Sequence, residues 1–172
     1  MPRLFTALEI PADIAGTLAM LRGGIPGARW ISPEFYHVTL RFIGDVDYAV
    51  ARDVAAALDE VERFGFELTL DGVDQFGNNK PRAIFATVKA NRELIELQAE
   101  QERLMKRVGL PPEGRNFRPH VTLLRNIEHA TPPMDTPAPL SWRYDRMVLV
   151  ASESLSGGSR YRIVAQSRPQ NS

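Results

Sequence analysis

Two of the three histidines in this chain open the same four-residue word, His37-Val38-Thr39-Leu40 and His120-Val121-Thr122-Leu123. In a β-strand, residues two apart project to the same face, about 6.6 Å apart along the chain, so each word presents an imidazole and a hydroxyl together while its valine and leucine face the other way. An imidazole titrates at roughly pH 6.5, so two of them can divide the work of general base and general acid at neutral pH. Phosphodiester cleavage needs that division. One histidine deprotonates the attacking oxygen, the other protonates the leaving oxygen, and the threonine hydroxyls donate to phosphoryl oxygens as charge develops on them. Each word supplies a single metal-ligating side chain and no carboxylate recurs at a matching offset, so the pattern does not suit zinc or two-metal chemistry. His129 has no threonine two residues on, follows Glu128, and reads as a surface residue.

The elements that must hold these words follow from periodicity. Leu4 to Ile10 reads as a short strand, and Pro11-Ala12-Asp13 starts a helix that Gly23-Gly24 stops. Tyr36 to Ile43 is β-branched and aromatic, a strand ended by Gly44-Asp45. Tyr48, Ala51, Val54, Ala55, Leu58 and Val61 fall at helical spacing, and that helix closes near Gly65. Phe66 to Val73 alternates as a half-exposed strand, the loop from Gln75 to Arg82 follows, and Ala83 to Val88 returns as its antiparallel neighbour. Asn91 to Val108 is the longest helix, with Leu94, Leu97, Gln101, Leu104, Met105 and Val108 on one face and Gly109 at its end. An irregular approach from Glu113 to Pro119 leads into the second word. Thr131 to Pro139 holds four prolines and reads as a connector, and strands over Trp142 to Ala151 and Tyr161 to Gln166 flank a turn-rich segment from Ser152 to Ser159. Each half holds one copy of the word. The order predicts an α+β fold: one domain over residues 1–172, made of two lobes of similar plan that face each other across a central cleft.

Composition limits what the cleft can meet. Lys plus Arg and Asp plus Glu stand at 21 each, so no global basic field exists to hold long duplex nucleic acid, and contacts to nucleic acid must be local. The absence of cysteine from the sequence excludes thiol catalysis, Cys-ligated zinc and disulfides. No apolar run reaches the roughly 18 residues of a membrane span, and Met1 to Phe5 carries no leader pattern, so a cytoplasmic protein without membrane partners is expected.

The paired words resemble those of the 2H phosphoesterase superfamily, and the chain as a whole is most similar to its bacterial RNA 2′,3′-cyclic phosphodiesterases, also called 2′-5′ RNA ligases. The likeness lies in Arg3 to Leu8, in His37 to Gly44 with its Phe-Ile-Gly ending, in Phe117 to Arg125, and in the Ser-x-Leu, glycine and tyrosine pattern up to Tyr161. The resemblance implies two pseudo-two-fold-related lobes of antiparallel sheet with outer helices. It implies metal-independent hydrolysis of a terminal 2′,3′-cyclic phosphate on RNA to a 2′-phosphate, weak reversible 2′-5′ ligation, no cofactor, and a monomer whose partners are RNA ends or nucleotides bearing the cyclic phosphate.

Carried over by position, His37 and His120 are catalytic, Thr39, Thr122 and Arg125 bind phosphate, and Phe42 stacks on a base. Phe42 and Arg125 each stand five residues past a histidine, an odd offset that in a regular strand points away from the histidine's face. Either the strand bulges or these residues act from a strand end. The two words are identical, so the sequence leaves the acid and base open; the family's polarity of attack inclines to His120 as base. Arg41, in phase with His37, and Arg82, Arg115 and Arg118 read as surface cations, and Trp30, Tyr36 and Phe76 as core. Two alternatives stand beside this reading: another cyclic or 2′-5′ nucleotide as substrate, such as ADP-ribose cyclic phosphate or 2′-5′ oligoadenylate, or an RNA-binding module without turnover.

Overall fold

Leu4, Phe5, Thr6, Ala7 and Leu8 are all buried, which alternation with one wet face cannot explain. Both faces of this first strand are covered: Leu4 and Leu8 belong to the main core, Phe5 and Ala7 to a second cluster with Val148 and Val150. In the computed structural model, the described residues are 3–21, 29–61, 65–76, 83–114, 116–125, 139–144, 147–155 and 158–166. The elements run β1 (Arg3–Glu9), α1 (Ala12–Ala19), β2 (Arg29–Trp30), β3 (His37–Asp45), α2 (Tyr48–Leu58), β4 (Glu67–Phe76), β5 (Ala83–Val88), α3 (Arg92–Val108), β6 (His120–Arg125), β7 (Leu140–Arg143), β8 (Val148–Leu155) and β9 (Gly158–Gln166), with a 3-10 turn at Pro33–Phe35 before β3.

The strands form one antiparallel sheet in the order β7-β4-β5-β6-β3-β1-β8-β9, with β2 added to β6. Its centre is the seam between β6 and β3, joined by the pair Val38 and Val121. On each side of the seam lie four strands, and the strand carrying the word pairs with the strand that precedes it through a helix: β1-α1 before β3, β5-α3 before β6. The fold is α+β and pseudo-symmetric. The two words therefore sit side by side in a continuous sheet, whereas the sequence suggests lobes packed face to face.

The main core takes Val38 and Leu40 from one word and Val121 and Leu123 from the other, against Ile14 and Leu18 of α1, Val54 and Leu58 of α2, and Leu94, Leu97 and Met105 of α3. Caps fix where the helices begin. Asp47 accepts from the Val50 N–H at 2.9 Å, and the Asn91 side chain accepts from Glu93 and Leu94, each satisfying donors that the first helical turn leaves open. Gly109 ends α3 at φ 102°, a left-handed backbone that suits glycine.

Several boundaries differ from the periodic reading. α1 ends at Ala19, with Met20 as its cap, well before the Gly-Gly pair, and α2 ends at Leu58. Trp142 to Ala151 is not one strand: β7 pairs with β4 at one end of the sheet, while β8 pairs with β1 in the other half. Much of the turn-rich segment is strand, because β8 and β9 pair as a long hairpin out to Leu155 and Gly158. The proline-rich connector up to Ala138, His129, Arg82 and Arg115, and the Phe76 side chain lie outside the described residues. No helix of the described residues is long and apolar enough to cross a membrane.

Candidate active site

The odd phase of Phe42 and Arg125 has a single cause, present twice. Against β1, Ala7 pairs with Thr39 and Thr6 with Arg41, so Leu40 is an extra residue on β3. Against β5, Phe85 pairs with Thr122 and Ile84 with Leu124, so Leu123 is extra on β6. A β-bulge of one residue shifts the alternation that follows it by one. The burial of the six residues from each histidine is accordingly the same in both strands: half-buried, buried, half-buried, buried, buried, exposed. Phe42 and Arg125 thereby return to the face of the histidines. His37, Thr39, Phe42, His120, Thr122 and Arg125 line one cleft of about 570 Å³.

The same bulge sends Arg41 the other way, which corrects its reading as a surface cation. Only 4% exposed, it donates from Nε to Glu102 Oε1 at 2.7 Å and from a terminal nitrogen to the Pro111 carbonyl. Its counterpart in β6, Leu124, is buried with Ile84. Arg118 is exposed as expected, but it lines the cleft, with its guanidinium 5.9 Å from the Phe85 ring centroid. Tyr36 is a core residue and Trp30 packs on Ile84 and Leu124.

Both imidazoles are held in the same way. His37 Nδ1 lies 2.8 Å from the Phe35 carbonyl and His120 Nδ1 2.6 Å from the Arg118 carbonyl, in each case two residues upstream. A peptide carbonyl can only accept, so Nδ1 carries the proton in both neutral rings and Nε2 is the basic nitrogen. Each ring also rests against a phenylalanine of the adjacent strand: Phe5 stacked on His37 at 4.8 Å, Phe85 edge-on to His120 at 5.0 Å. Tyr161 of β9 stands edge-on to His37 at 5.7 Å. Burial lowers the pKa of both histidines below the usual 6.5, only partly offset by the bonds to the Phe35 and Arg118 carbonyls. Arg125 lowers both further, with His120 adding to the effect on His37 and Arg118 to that on His120. Both shifts favour the neutral imidazole.

Register sets the partners within the cleft. The two words meet at the Val38–Val121 pair, so His37 and Thr122 leave it toward one end of the seam and Thr39 and His120 toward the other. Each histidine thus lies toward the same end of the seam as the threonine of the other word. Gln98, Glu113, Asn116 and Phe117 also line the cleft. The sequence offered no sign of Gln98, which lies on α3, whereas Glu113, Asn116 and Phe117 fall in the irregular approach to the second word. Among the described residues no three His, Asp or Glu side chains converge on a metal-sized site.

This arrangement agrees with comparisons to known proteins. Residues 11–154 match the family profile of the 2′-5′ RNA ligase superfamily. The chain is 30% identical over 166 residues to an RNA 2′,3′-cyclic phosphodiesterase of Escherichia coli, covering 92% of each chain. It is 34% identical over 119 residues to one from Aeropyrum pernix, covering 65% of this chain and 67% of the other. Its fold is similar to that of E. coli LigT solved with 3′-AMP, with a TM-score of 0.85, 26% identity and 96% of each chain covered. Fold and paired motifs place the chain among the 2H phosphoesterases. Within them, it belongs to the 2′-5′ RNA ligase superfamily.

Proposed function

We propose that this chain is an RNA 2′,3′-cyclic phosphodiesterase, which opens a terminal cyclic phosphate to a 2′-phosphate by acid–base catalysis between His37 and His120 and without a metal. The observation that carries the reading is the duplicated geometry: two imidazoles in one cleft, each with Nδ1–H tied to a carbonyl so that proton exchange falls to Nε2. A module that only binds RNA has no use for two such groups. Kinship with curated phosphodiesterases of this name supports the substrate class.

In the forward step a neutral histidine takes a proton from water, the water oxygen bonds to phosphorus, the bond from phosphorus to the 3′ oxygen breaks, and the charged histidine gives that oxygen its proton. Thr39, Thr122 and Arg125 donate to the phosphoryl oxygens, and Phe42 stacks on the base for about 1–3 kcal/mol. By the family's polarity of attack His120 is the base. His37 is then the acid, with the Phe5 ring stacked on it. An RNA 5′-hydroxyl in place of water gives 2′-5′ ligation with the same groups. A cytoplasmic setting and a monomeric state belong to the same reading.

Product analysis on a short RNA ending in a 2′,3′-cyclic phosphate tests the activity: a 2′-phosphate product supports it, while binding without conversion decides for the module. ADP-ribose cyclic phosphate and 2′-5′ oligoadenylate in parallel test the other substrates. A substrate with sulfur at the 3′ bridging position tests the roles, since a thiolate leaves without an acid. His37→Ala regains turnover on it and His120→Ala does not; the opposite pattern reverses the assignment.

A further inference from the structure

The cleft holds a charge that a phosphate does not call for. Arg118 and Arg125 suit an anion, but Glu113, Gln98 and Asn116 also line the wall. A carboxylate repels phosphate, so its presence in a cleft for RNA points to a partner rich in N–H donors.

The Glu113 backbone is held in relation to Phe42. Arg41, the residue before Phe42, donates to Glu102 Oε1 and to the Pro111 carbonyl, and Glu102 Oε2 accepts from the Glu113 backbone N–H at 3.4 Å. Away from the Val38–Val121 pair, antiparallel β3 carries Phe42 in the direction from which residues 111–119 enter β6. Phe42, 47% exposed, and Glu113 thus lie toward the same end of the cleft and are tied together through two side chains.

We infer that Glu113 reads the Watson–Crick edge of the terminal base and selects guanine. This rests on the cyclic phosphodiesterase reading, which places that base on Phe42. An ionised carboxylate accepts at two oxygens and donates from none. Guanine is the one RNA base with two adjacent donors on that edge, N1–H and the 2-amino group, and they match the carboxylate in a charge-assisted fork. Adenine and cytosine set one donor beside an acceptor, and uracil sets one donor between two carbonyls. The next group on the guanine edge, O6, accepts, and the amides of Gln98 and Asn116 carry the donors it needs.

The test compares kcat/KM for the 2′,3′-cyclic phosphates of guanosine, adenosine, cytidine and uridine, together with calorimetric affinity for the four nucleoside 2′-monophosphates. The wild type favours guanosine over uridine by about ten- to a hundredfold, the scale of one or two hydrogen bonds to a charged group, and Glu113→Gln brings that ratio close to one. Glu113→Ala gives the same readout, because the fold uses the backbone N–H of this residue. Equal turnover of all four, or a guanosine preference that survives both variants, overturns the inference and leaves the phosphodiesterase reading standing. Guanosine-selective binding that Glu113→Gln abolishes, without any turnover, supports the subsite and overturns the phosphodiesterase reading. Neither turnover nor selective binding overturns both.

Discussion

Val38 stands opposite Val121 at the seam of the sheet, and neither has measurable exposure. The pseudo-two-fold axis runs between them, so one histidine is carried onto the other and each lies toward the same end of the seam as the threonine of the other word. An acid and a base presented this way act as a unit. His37→Ala and His120→Ala should each lower kcat by about 10²–10⁴-fold, and the double variant should fall little further than either single one. Steady-state turnover of a cyclic nucleotide measures this; EDTA should leave the rate unchanged, and retention of activity in either single variant refutes the pairing.

The pH profile follows from the direction of the two pKa shifts. Burial lowers both histidines, and kcat/KM reports the free enzyme's groups. The bell should therefore peak on the acid side of pH 6.5, while kcat should peak at higher pH, because a bound phosphate favours the imidazolium. Initial rates from pH 4.5 to 9 decide it; a kcat/KM that keeps rising through pH 9 contradicts the scheme.

Stability carries the same signature. A histidine whose folded pKa lies below its unfolded value binds fewer protons when folded, so its contribution is full above the unfolded pKa and is lost as pH falls through the folded one. Urea midpoints should decline from pH 7.5 to 5, and His37→Gln should flatten the decline. An unchanged slope in the variant would show that other groups set it.

Arg41 and Arg3 separate buried from surface ion pairs. Arg41→Met leaves Glu102, 25% exposed, without its partner and frees the Pro111 carbonyl, at a cost near the lower end of about 3–5 kcal/mol. Arg3 and Asp45 lie 3.6 Å apart with both side chains about half exposed, so Arg3→Met should cost about 0–1 kcal/mol. Denaturant titration of the two variants compares them, and similar losses would reject the distinction.

Gln101 lies on the buried face of α3 with no exposure, and neither amide atom has a hydrogen-bond partner among the described residues. Gln101→Leu keeps the volume and removes the unpaired groups, so it should stabilise by about 1–3 kcal/mol. Thermal melts should rise by about 2–4 °C for each kcal/mol; a lower Tm overturns this account.

Sequence alone singled out the two words whose histidines and threonines line the cleft. The alternation inside each word is local backbone geometry, so His37 with Thr39 and Val38 with Leu40 separate to opposite faces in any strand. The longest helix, starting at Asn91 and stopping at Gly109, was equally legible, since a cap acts within a turn. Tertiary structure decided what depends on neighbours distant in the chain. The bulges at Leu40 and Leu123 exist only in the pairing of β3 with β1 and of β6 with β5; they turn Phe42 and Arg125 into the cleft and bury Arg41. The same holds for the separation of β7 from β8, where the segment read as one strand from Trp142 to Ala151 is divided between opposite halves of the sheet. Glu113 entered the cleft wall through Arg41 and Glu102, a contact across 11 and 61 residues of chain. Periodicity describes one strand at a time, whereas register and burial belong to the assembled sheet.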